Sequence, residues 1–401
     1  MITLHEALEY VLATVPVQPV IDAPLADALG LVITAEVVAQ ELIPGWDNTA
    51  LDGFAVRADD VATDGAVLDV VVTIAAGDPG EVAIGPGQAA RIMTGAPIPP
   101  GADTIVMVER TESLDGGARV VVHGTFPKGT GVRRAGEDVR PGDVVLAAGT
   151  TLRVGHLGLL ASIGVQSVSA RRRVRVGVLS TGDELVQGGG ALRRGQVHDS
   201  NRLALVAACR SAGFDAVDLG LVRDDEALIE QAIRSGVAEC DALITSGGVS
   251  MGDFDYVKAV LARIGEMRWM QIAIKPAKPF AFGLVDGVAV FGLPGNPVSS
   301  LVSFELLARP GLLRAGGRNS VQRRRVRATA LEDLRRRPDG KVHFVRVSLS
   351  QDDGLGFLVR SAGAQGSHQM TAFAGADGLG VLPDGDGVAA GESLEVILLD
   401  D

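Results

Sequence analysis

Residues suited to binding anions and metal ions follow several apolar segments in the second half of the chain. The segment TGDE (181–184) follows VRVGVLS, RDD (223–225) follows AVDLGLV, and SGGVSMGDFDY (246–256) follows DALI. Backbone N–H groups in glycine turns bind anions, and serine or threonine hydroxyls add donors. A carboxylate beside a phosphate repels it unless a cation lies between them, and magnesium is bound by one or two carboxylates plus phosphate oxygens. The spacing therefore predicts an anion site that includes a divalent metal.

The acidic residues of these segments are the candidates for holding that metal. Glu184, Asp224 and Asp255 share a position at the end of a predicted strand, which favours a functional role. Asp225 and Asp253 fit the start of a helix equally well, where the helix dipole stabilises a carboxylate by about 0.3–1 kcal/mol. For these two, capping and function stay open as alternatives.

Two proline-rich segments add positive charge and hydroxyl groups. IKPAKPFAF carries Lys275 and Lys278, and LPGNPVSS places two prolines around Gly-Asn and presents Ser299 and Ser300 at a helix start. The prolines alone are explained by a rigid strand-to-helix turn. The coincidence with the two lysines favours an oxyanion site.

The first half of the chain gives weaker signals. DNTALDGFAVR places Asp47 and Asp52 around a turn before a short strand, and on the residues alone a polar loop is the favoured interpretation. GEDVRPGD, which contains Asp138, is also typical of a turn.

Hydrophobic periodicity divides the chain into four regions. Thr3-Leu4-His5-Glu6 has the form of a capping box and predicts an N-terminal helix. Residues 42–143 read as an inserted β-rich domain, flanked by 1–41 and 144–172 as a discontinuous helical and linker domain. Residues 173–317 alternate strands and helices, which predicts a largely parallel sheet with helices on both faces and ligands at the carboxyl ends of the strands. Residues 318–401 predict a separate small β domain.

Composition excludes several classes. A length of 401 residues suggests two to four domains, and a net charge of −12 disfavours nucleic-acid binding. No apolar run reaches the ~18 residues of a membrane helix, and the first residues do not read as a signal peptide, so a cytoplasmic protein is expected. Cys209 and Cys240 are expected to be buried, and the histidines form no zinc pattern. The RRR runs at 171–173, 323–325 and 335–337 are expected to be solvated.

Seven motifs in order resemble the molybdopterin molybdenumtransferase family, the MoeA-type enzymes similar to the E domain of gephyrin. They are DNTALDGFAVR, RIMTGAPIPPGADTIVMVE, RRAGEDV, STGDEL, TSGGVSMGDFDYVK, IKPAKPFAFG and FGLPGNPVSS. The resemblance implies an elongated multidomain α/β plus β subunit, with a three-layer α/β/α molybdopterin-binding domain, an inserted β-rich domain and a small C-terminal β-barrel. It also implies a homodimer and a reaction in which molybdate and adenylylated molybdopterin give molybdenum cofactor and AMP with Mg²⁺.

The resemblance assigns functional residues one by one. The catalytic positions that it implies are Asp52, Asp138, Glu184, Asp224, Asp255 and Lys275, of which Glu184, Asp224 and Asp255 are also the metal ligands. The substrate-binding set joins the glycine-turn residues with positions added by the resemblance: Thr181, Ser246, Gly247, Gly248, Ser250, Lys278, Pro279, Pro294, Pro297, Ser299, Arg346 and Ser367. Gln271 departs from family members that carry a lysine at this position.

The expected partners are small-molecule substrates, a second copy of the chain, a molybdopterin adenylyltransferase and apo-molybdoenzymes, with no nucleic acid and no membrane. Three alternatives stay open at this point. They are a tungsten-inserting paralogue, transfer of adenylate from ATP to molybdopterin, and a gephyrin-like scaffold without activity.

Overall fold

The computed structural model describes residues 1–248, 256–354 and 356–399. The chain forms two compact units. Unit 1 comprises Met1–Ala23, Gly30–Thr34 and Ser169–Asp401, and unit 2 comprises Pro24–Leu29 and Ala35–Val168. In the described ranges no helix is both long and apolar enough to cross a membrane. The domain boundaries given above stay a prediction.

The chain opens with helix α1 (Leu4–Thr14), followed by strand β1 (Val20–Pro24). The predicted capping box is confirmed, because Glu6 N donates to Thr3 Oγ1 at 3.1 Å and Thr3 N donates to the Glu6 carboxylate at 2.7 Å. Ala7, Leu8 and Val11 of α1 are buried in the main core of unit 1.

Unit 2 contains residues 42–143, for which a β-rich module is predicted, and extends beyond both of those boundaries. Its strands are β2 (Val37–Val38), β3 (Asn48–Thr49), β4 (Gly53–Val56), β5 (Ala66–Ile74), β6 (Gln88–Ile92), β7 (Thr104–Met107), β8 (Thr111–Leu114), β9 (Arg119–Val122), β10 (Val132–Arg133) and β11 (Val144–Leu146), and its helix is α2 (Val154–Ser162). Six strands form one sheet in the order β7-β4-β6-β5-β9-β8. Successive residues of β4 enter different cores, Phe54 and Val56 on one side and Ala55 on the other, so both faces of the sheet are covered.

Strand β4 requires a residue without a side chain at position 53. A Cβ on Gly53 would lie 1.9 Å from the carbonyl oxygen of Val106 on the neighbouring strand β7. We expect Gly53→Ala to destabilise unit 2 by about 1–3 kcal/mol, because β7 must move away and its ladder is broken. Thermal melting measures this loss.

Gly155→Ala in α2 is the matched control, since nothing lies within 4 Å of its added Cβ. This variant should melt at or slightly above the wild-type temperature, because alanine is the better helix former. Equal melting of Gly53→Ala and the wild type would show that the β4–β7 spacing adapts without cost.

Unit 1 contains an α/β domain built around a mixed six-stranded sheet. Its elements are β12 (Ser167–Arg171), β13 (Arg175–Thr181), β14 (Leu185–Val186), β15 (Val197–His198), α3 (Asn201–Ser211), β16 (Asp215–Val222), α4 (Glu226–Glu239), β17 (Ala242–Ser246), α5 (Tyr256–Ile264), β18 (Glu266–Gln271), β19 (Ile274–Lys275), β20 (Pro279–Val285), β21 (Val288–Leu293), α6 (Pro297–Ser303) and α7 (Arg309–Ala315). The strand order is β16-β13-β17-β21-β20-β18, and the first four strands are parallel to one another.

Helices cover both faces of this sheet, which confirms the predicted three-layer fold. Side chains of β13 and β17 alternate between two cores: Val178 and Ile244 face α3, α6 and α7, whereas Leu179 and Leu243 face α4 and α5. Strands buried on both faces explain why their sequences are continuously apolar rather than alternating.

The C-terminal region is a closed barrel. Its elements are β22 (Arg325–Ala330), β23 (Leu334–Arg335), β24 (Val342–Asp352), β25 (Gly356–Ser361), α8 (Met370–Ala374), β26 (Gly378–Leu382), β27 (Gly387–Val388) and β28 (Ser393–Leu398). The order β24-β25-β22-β28-β26 closes because β26 also pairs with β24. Strand β19 adds to β24 in parallel and sets Lys275 opposite His343.

The expectation that the arginine runs are solvated is wrong for two of them. The side chain of Arg336 is only 2% exposed, and that of Arg323 is 11% exposed and bonds to the buried Glu305 carboxylate at 2.9 Å. The cysteines are buried as predicted, and burial raises the pKa of the Cys209 thiol to about 12.

Candidate functional site

The carboxyl ends of three neighbouring parallel strands bring the predicted anion-binding residues together. Ser180 of β13 pairs with Ser246 of β17, which in turn pairs with Leu293 of β21. Thr181, Gly247 and Pro294 therefore follow side by side at one edge of the sheet. This is the edge at which ligands bind in open α/β sheets.

Gly247 allows the turn after β17 to approach its neighbours closely. Its φ is +101°, and a Cβ there would lie 3.1 Å from the carbonyl oxygen of Thr181. Its N–H donates to the carbonyl oxygen of Leu293 at 3.1 Å. Both the backbone conformation and the contact require glycine at this position. Ser250, Asp253 and Asp255, which continue the same segment, lie outside the described residues.

A cavity of about 490 Å³, here called the lysine cavity, opens next to this edge. Six predicted site residues line it: Lys275, Lys278, Pro279, Pro294, Ser299 and Ser367. Lys341 and Gln365 also line it and were not predicted. Pro297 is the first residue of α6 and is not part of the lining.

The lysines are presented by an unusual backbone. Ala277, between Lys275 and Lys278, is buried and has a φ of +75°, in the left-handed region that costs a non-glycine residue about 1 kcal/mol or more. Such a conformation persists only where the surrounding structure imposes it. The KPAKP segment is thus held in one shape, with both lysine side chains at the cavity.

A second cavity of about 410 Å³, here called the arginine cavity, shares Lys275, Pro276 and Gln365 with the first. Arg346 lines this second cavity and is 1% exposed. Its guanidinium donates to the carbonyl oxygens of Ala364 and Gly366 at 3.1 Å each, and no described group accepts from its Nε. Burial lowers the pKa of Arg346. A buried cation with no carboxylate partner in the part of the chain that the structure describes suits an anionic ligand.

Two of the predicted acidic residues, Glu184 and Asp224, lie near each other and near Asp183 after the ends of β13 and β16. Asp224 N donates to the Asp183 carboxylate at 3.4 Å, and Asp183 N donates to the Asp224 carboxylate at 3.3 Å. Burial, together with the charges of Asp183 and Glu184, raises the pKa of Asp224. A divalent cation would relieve this repulsion, and oxygen ligands are those that magnesium prefers.

The described residues by themselves do not assemble a complete metal site. Across 1–248, 256–354 and 356–399 there is no group of three or more histidine, cysteine or acidic side chains placed to hold an ion. Two carboxylates, those of Glu184 and Asp224, are the predicted metal ligands that the described residues include. Asp225 is resolved as a cap, since its side chain accepts from Leu228 N at 3.0 Å at the start of α4.

The two predicted acids of unit 2 are exposed. Thr94 donates to the Asp52 carboxylate from its N–H at 2.6 Å and from its hydroxyl at 2.8 Å. The Thr94 N–H is the main reason that the pKa of Asp52 is lowered. Asp138 lies in a turn and donates its N–H to the carbonyl oxygen of Ile43 at 2.9 Å. Asp47 is structural, because it accepts from Arg134 and from Ala135 N.

Asn201 bonds to two of these strand-end segments, which its sequence context does not indicate. As an asparagine before an apolar periodic segment it reads as the cap of α3, but the cap position is occupied by Ser200. Asn201 instead donates its side-chain amide to Ser246 Oγ at 2.8 Å and to the carbonyl oxygen of Gly295 at 2.7 Å. No local pattern distinguishes the two roles, since asparagine is favoured at caps and its long-range acceptors are not visible in the sequence.

A three-layer domain with glycine turns, lysines and acids at the strand ends, joined to a closed barrel, defines an enzyme that binds anionic small molecules. Three family models match the chain: the MoeA N-terminal region (domain I and II) over residues 2–164, the probable molybdopterin binding domain over 177–314, and the MoeA C-terminal region (domain IV) over 327–399. The chain belongs to the MoeA-type molybdopterin molybdenumtransferase family. The predicted enzyme class, a transferase of molybdenum cofactor biosynthesis, is thereby confirmed.

Individual relatives are similar in sequence to this chain over nearly its whole length. The chain is 37% identical over 400 residues to a molybdopterin molybdenumtransferase of Haemophilus influenzae, covering 99% of this chain and 98% of the relative. It is 40% identical over 390 residues to molybdopterin molybdenumtransferase 2 of Mycobacterium tuberculosis, covering 94% of both. The crystal structure of a molybdopterin biosynthesis MoeA protein from Pyrococcus horikoshii is similar with a TM-score of 0.78 at 30% identity, and covers 100% of both chains.

Proposed function

We propose that the protein inserts molybdenum from molybdate into adenylylated molybdopterin, releasing AMP and forming molybdenum cofactor with the help of Mg²⁺. The observation that carries this proposal is the lysine cavity, which adjoins the glycine turn of β17 at the same sheet edge. The lysine cavity suits a compact oxyanion and the glycine turn suits a phosphate, so two anionic substrates can lie next to each other.

Molybdate is a dianion, and its removal from water is costly unless charged donors replace its hydration shell. The ammonium groups of Lys275 and Lys278 supply opposite charge, and the hydroxyls of Ser299 and Ser367 supply neutral donors. The Arg346 guanidinium provides a further cation across the shared wall formed by Lys275, Pro276 and Gln365.

The pyrophosphate of the second substrate is assigned to the turn after β17. Ser246, Gly247 and Gly248, with Thr181 beside them, offer backbone N–H groups and hydroxyls where a parallel strand ends. Ser250 belongs to the same proposed set. Glu184 and Asp224, together with Asp255, are the residues that would hold Mg²⁺. When bound, this ion supplies positive charge beside the phosphoanhydride.

The protein's own contribution to the reaction is positional and electrostatic. The lysines bind the oxyanion, and the turn after β17 binds the pyrophosphate. The carboxylates orient the reacting groups that lie between the oxyanion and the pyrophosphate. Asp52 and Asp138 of unit 2 are proposed as further catalytic residues, and the active form is proposed to be a cytoplasmic homodimer. No covalent enzyme intermediate is part of the proposal.

The test is to incubate the purified protein with adenylylated molybdopterin, Mg²⁺ and molybdate. We expect AMP release that depends on molybdate, together with reconstitution of an apo-molybdoenzyme by the product. Sulfate, an oxyanion of the same charge, is the control and should not support reconstitution. A tungstate arm measures the preference between the two metals. AMP release at the same rate with no oxyanion present would contradict the proposal.

A further inference from the structure

We propose that Asn201 is a positioning residue that fixes the turn after β17 against the turn after β21. The inference rests on the proposed function, since these turns carry the two proposed substrate sites. It concerns a residue that reads in the sequence as a helix cap.

The first observation is that one amide group bonds to both turns. Asn201 Nδ2 donates to Ser246 Oγ at 2.8 Å and to the carbonyl oxygen of Gly295 at 2.7 Å. An amide NH₂ has two hydrogens, so these two bonds use its full donor capacity. Ser246 ends β17, and Gly295 lies between Pro294 and Asn296 in the turn after β21.

The second observation is that the two turns lie close together. A Cβ on Gly295 would be 3.8 Å from the Cα of Gly247, and Gly247 N donates to the carbonyl oxygen of Leu293. The Gly247–Leu293 bond joins the turns at their strand ends, and the Asn201 amide adds two further bonds from a third element. These two bonds oppose movement of one turn relative to the other.

The third observation is that Asn201 itself is firmly held. It is the first residue of α3, and the next residue, Arg202, is buried and pairs with Asp199 at 2.8 Å and with Asp218. Asp199 also accepts from Ser180 Oγ at 3.0 Å at the end of β13. The start of α3 is thereby anchored to β13 and β16. Because Asn201 is fixed relative to the sheet, its two bonds fix both turns relative to the sheet as well.

The consequence concerns the distance between the substrates. Pro294, Gly295 and Asn296 line the lysine cavity, and Ser246 starts the proposed pyrophosphate turn. Reacting groups must be held at close distance and correct orientation, and a displacement of about 1 Å can cost about 100-fold in rate. Loss of the Asn201 bonds therefore affects the step that joins the substrates more than the binding of either one.

The experiment compares Asn201→Ala and Asn201→Asp with the wild type. Alanine removes both bonds, and aspartate keeps the volume but sets a carboxylate oxygen against the Gly295 carbonyl. We expect kcat for molybdate-dependent AMP release to fall by about 10- to 100-fold in both variants, with KM for each substrate within about threefold of the wild type. Leu203→Ala, at a 74% exposed position on the same helix, is the control and should keep wild-type kcat.

Three results would overturn the proposal. If Asn201→Asp keeps its fold and also keeps the wild-type kcat, Asn201 has no positioning role. A rise in KM for molybdate at unchanged kcat makes Asn201 a binding group instead. A loss of kcat that only matches the fraction unfolded, measured by thermal melting of both variants, makes its role purely structural. A wild-type protein without molybdate-dependent release is a different outcome, because it contradicts the proposed function itself.

Discussion

Replacing Lys275 by alanine should lower kcat/KM for molybdate by about 100- to 1,000-fold. Removal of one donor that stabilises charge in a catalytic site typically has an effect of this size. Lys275 lies in strand β19 and lines both the lysine cavity and the arginine cavity, so no other lysine of the described residues occupies an equivalent place. Steady-state kinetics with molybdate as the varied substrate measure the effect.

Two further variants control this experiment. Lys275→Arg keeps the charge and should recover part of the activity. Lys128→Ala removes an ammonium that is 74% exposed and pairs with Asp103 at 3.4 Å in unit 2, so it should leave kcat/KM unchanged. A Lys275→Ala protein with wild-type kcat/KM would exclude this lysine from the proposed molybdate site.

The second large effect is expected for stability. Arg336→Met should destabilise the barrel by about 2–4 kcal/mol, because the part-buried carbonyl oxygens of Lys341 and Leu382 lose their donor, at about 1–3 kcal/mol each. The guanidinium of Arg336 donates to the carbonyl oxygens of Lys341, Leu382 and Pro383, at 2.6, 3.2 and 2.9 Å. It also pairs with Asp339 and Asp384, which are partly exposed and contribute less.

Arg335→Ala is the matched control for Arg336→Met, one residue away in the same run. The Arg335 side chain is 83% exposed and pairs only at the surface with Asp333, so its loss should change stability by less than about 0.5 kcal/mol. Thermal melting compares the variants, and hydrogen exchange in β24 and β26 assigns the change to the barrel. Equal melting of both variants would contradict the structural role of Arg336.

The α/β domain could be predicted well because local patterns carry most of its information. Continuous apolar segments such as VRVGVLS mark strands buried on both faces, and the rule that ligands bind at carboxyl ends placed Thr181, Ser246 and Pro294 at one edge. Barrel closure rests on β24, an 11-residue strand that pairs with β25, β26 and β19. The order of these pairings cannot be derived from the residues alone.

The polar residues whose roles were missed or misread share one property. The role of Arg336 depends on carbonyl oxygens that lie on other segments, and a run of three arginines gives no indication that its middle member is buried. Asn201 likewise depends on two distant acceptors. Polar side chains whose partners are distant in the sequence leave no recognisable sequence pattern. A local motif such as the Thr3–Glu6 capping box does leave one.

The arrangement of β13, β17 and β21 also bears on how the protein folds. Parallel neighbours are joined by crossovers that contain helices and further strands, so their contacts connect distant parts of the chain. Contacts of this kind form slowly, because the entropy of closing the intervening loops is lost before the contacts stabilise them. Ser246, Gly295 and Asn201 can meet only once all three strands are in register. During refolding, competence to bind oxyanions should therefore arise after the helices have formed, which makes ligand binding a reporter of the assembly of this sheet.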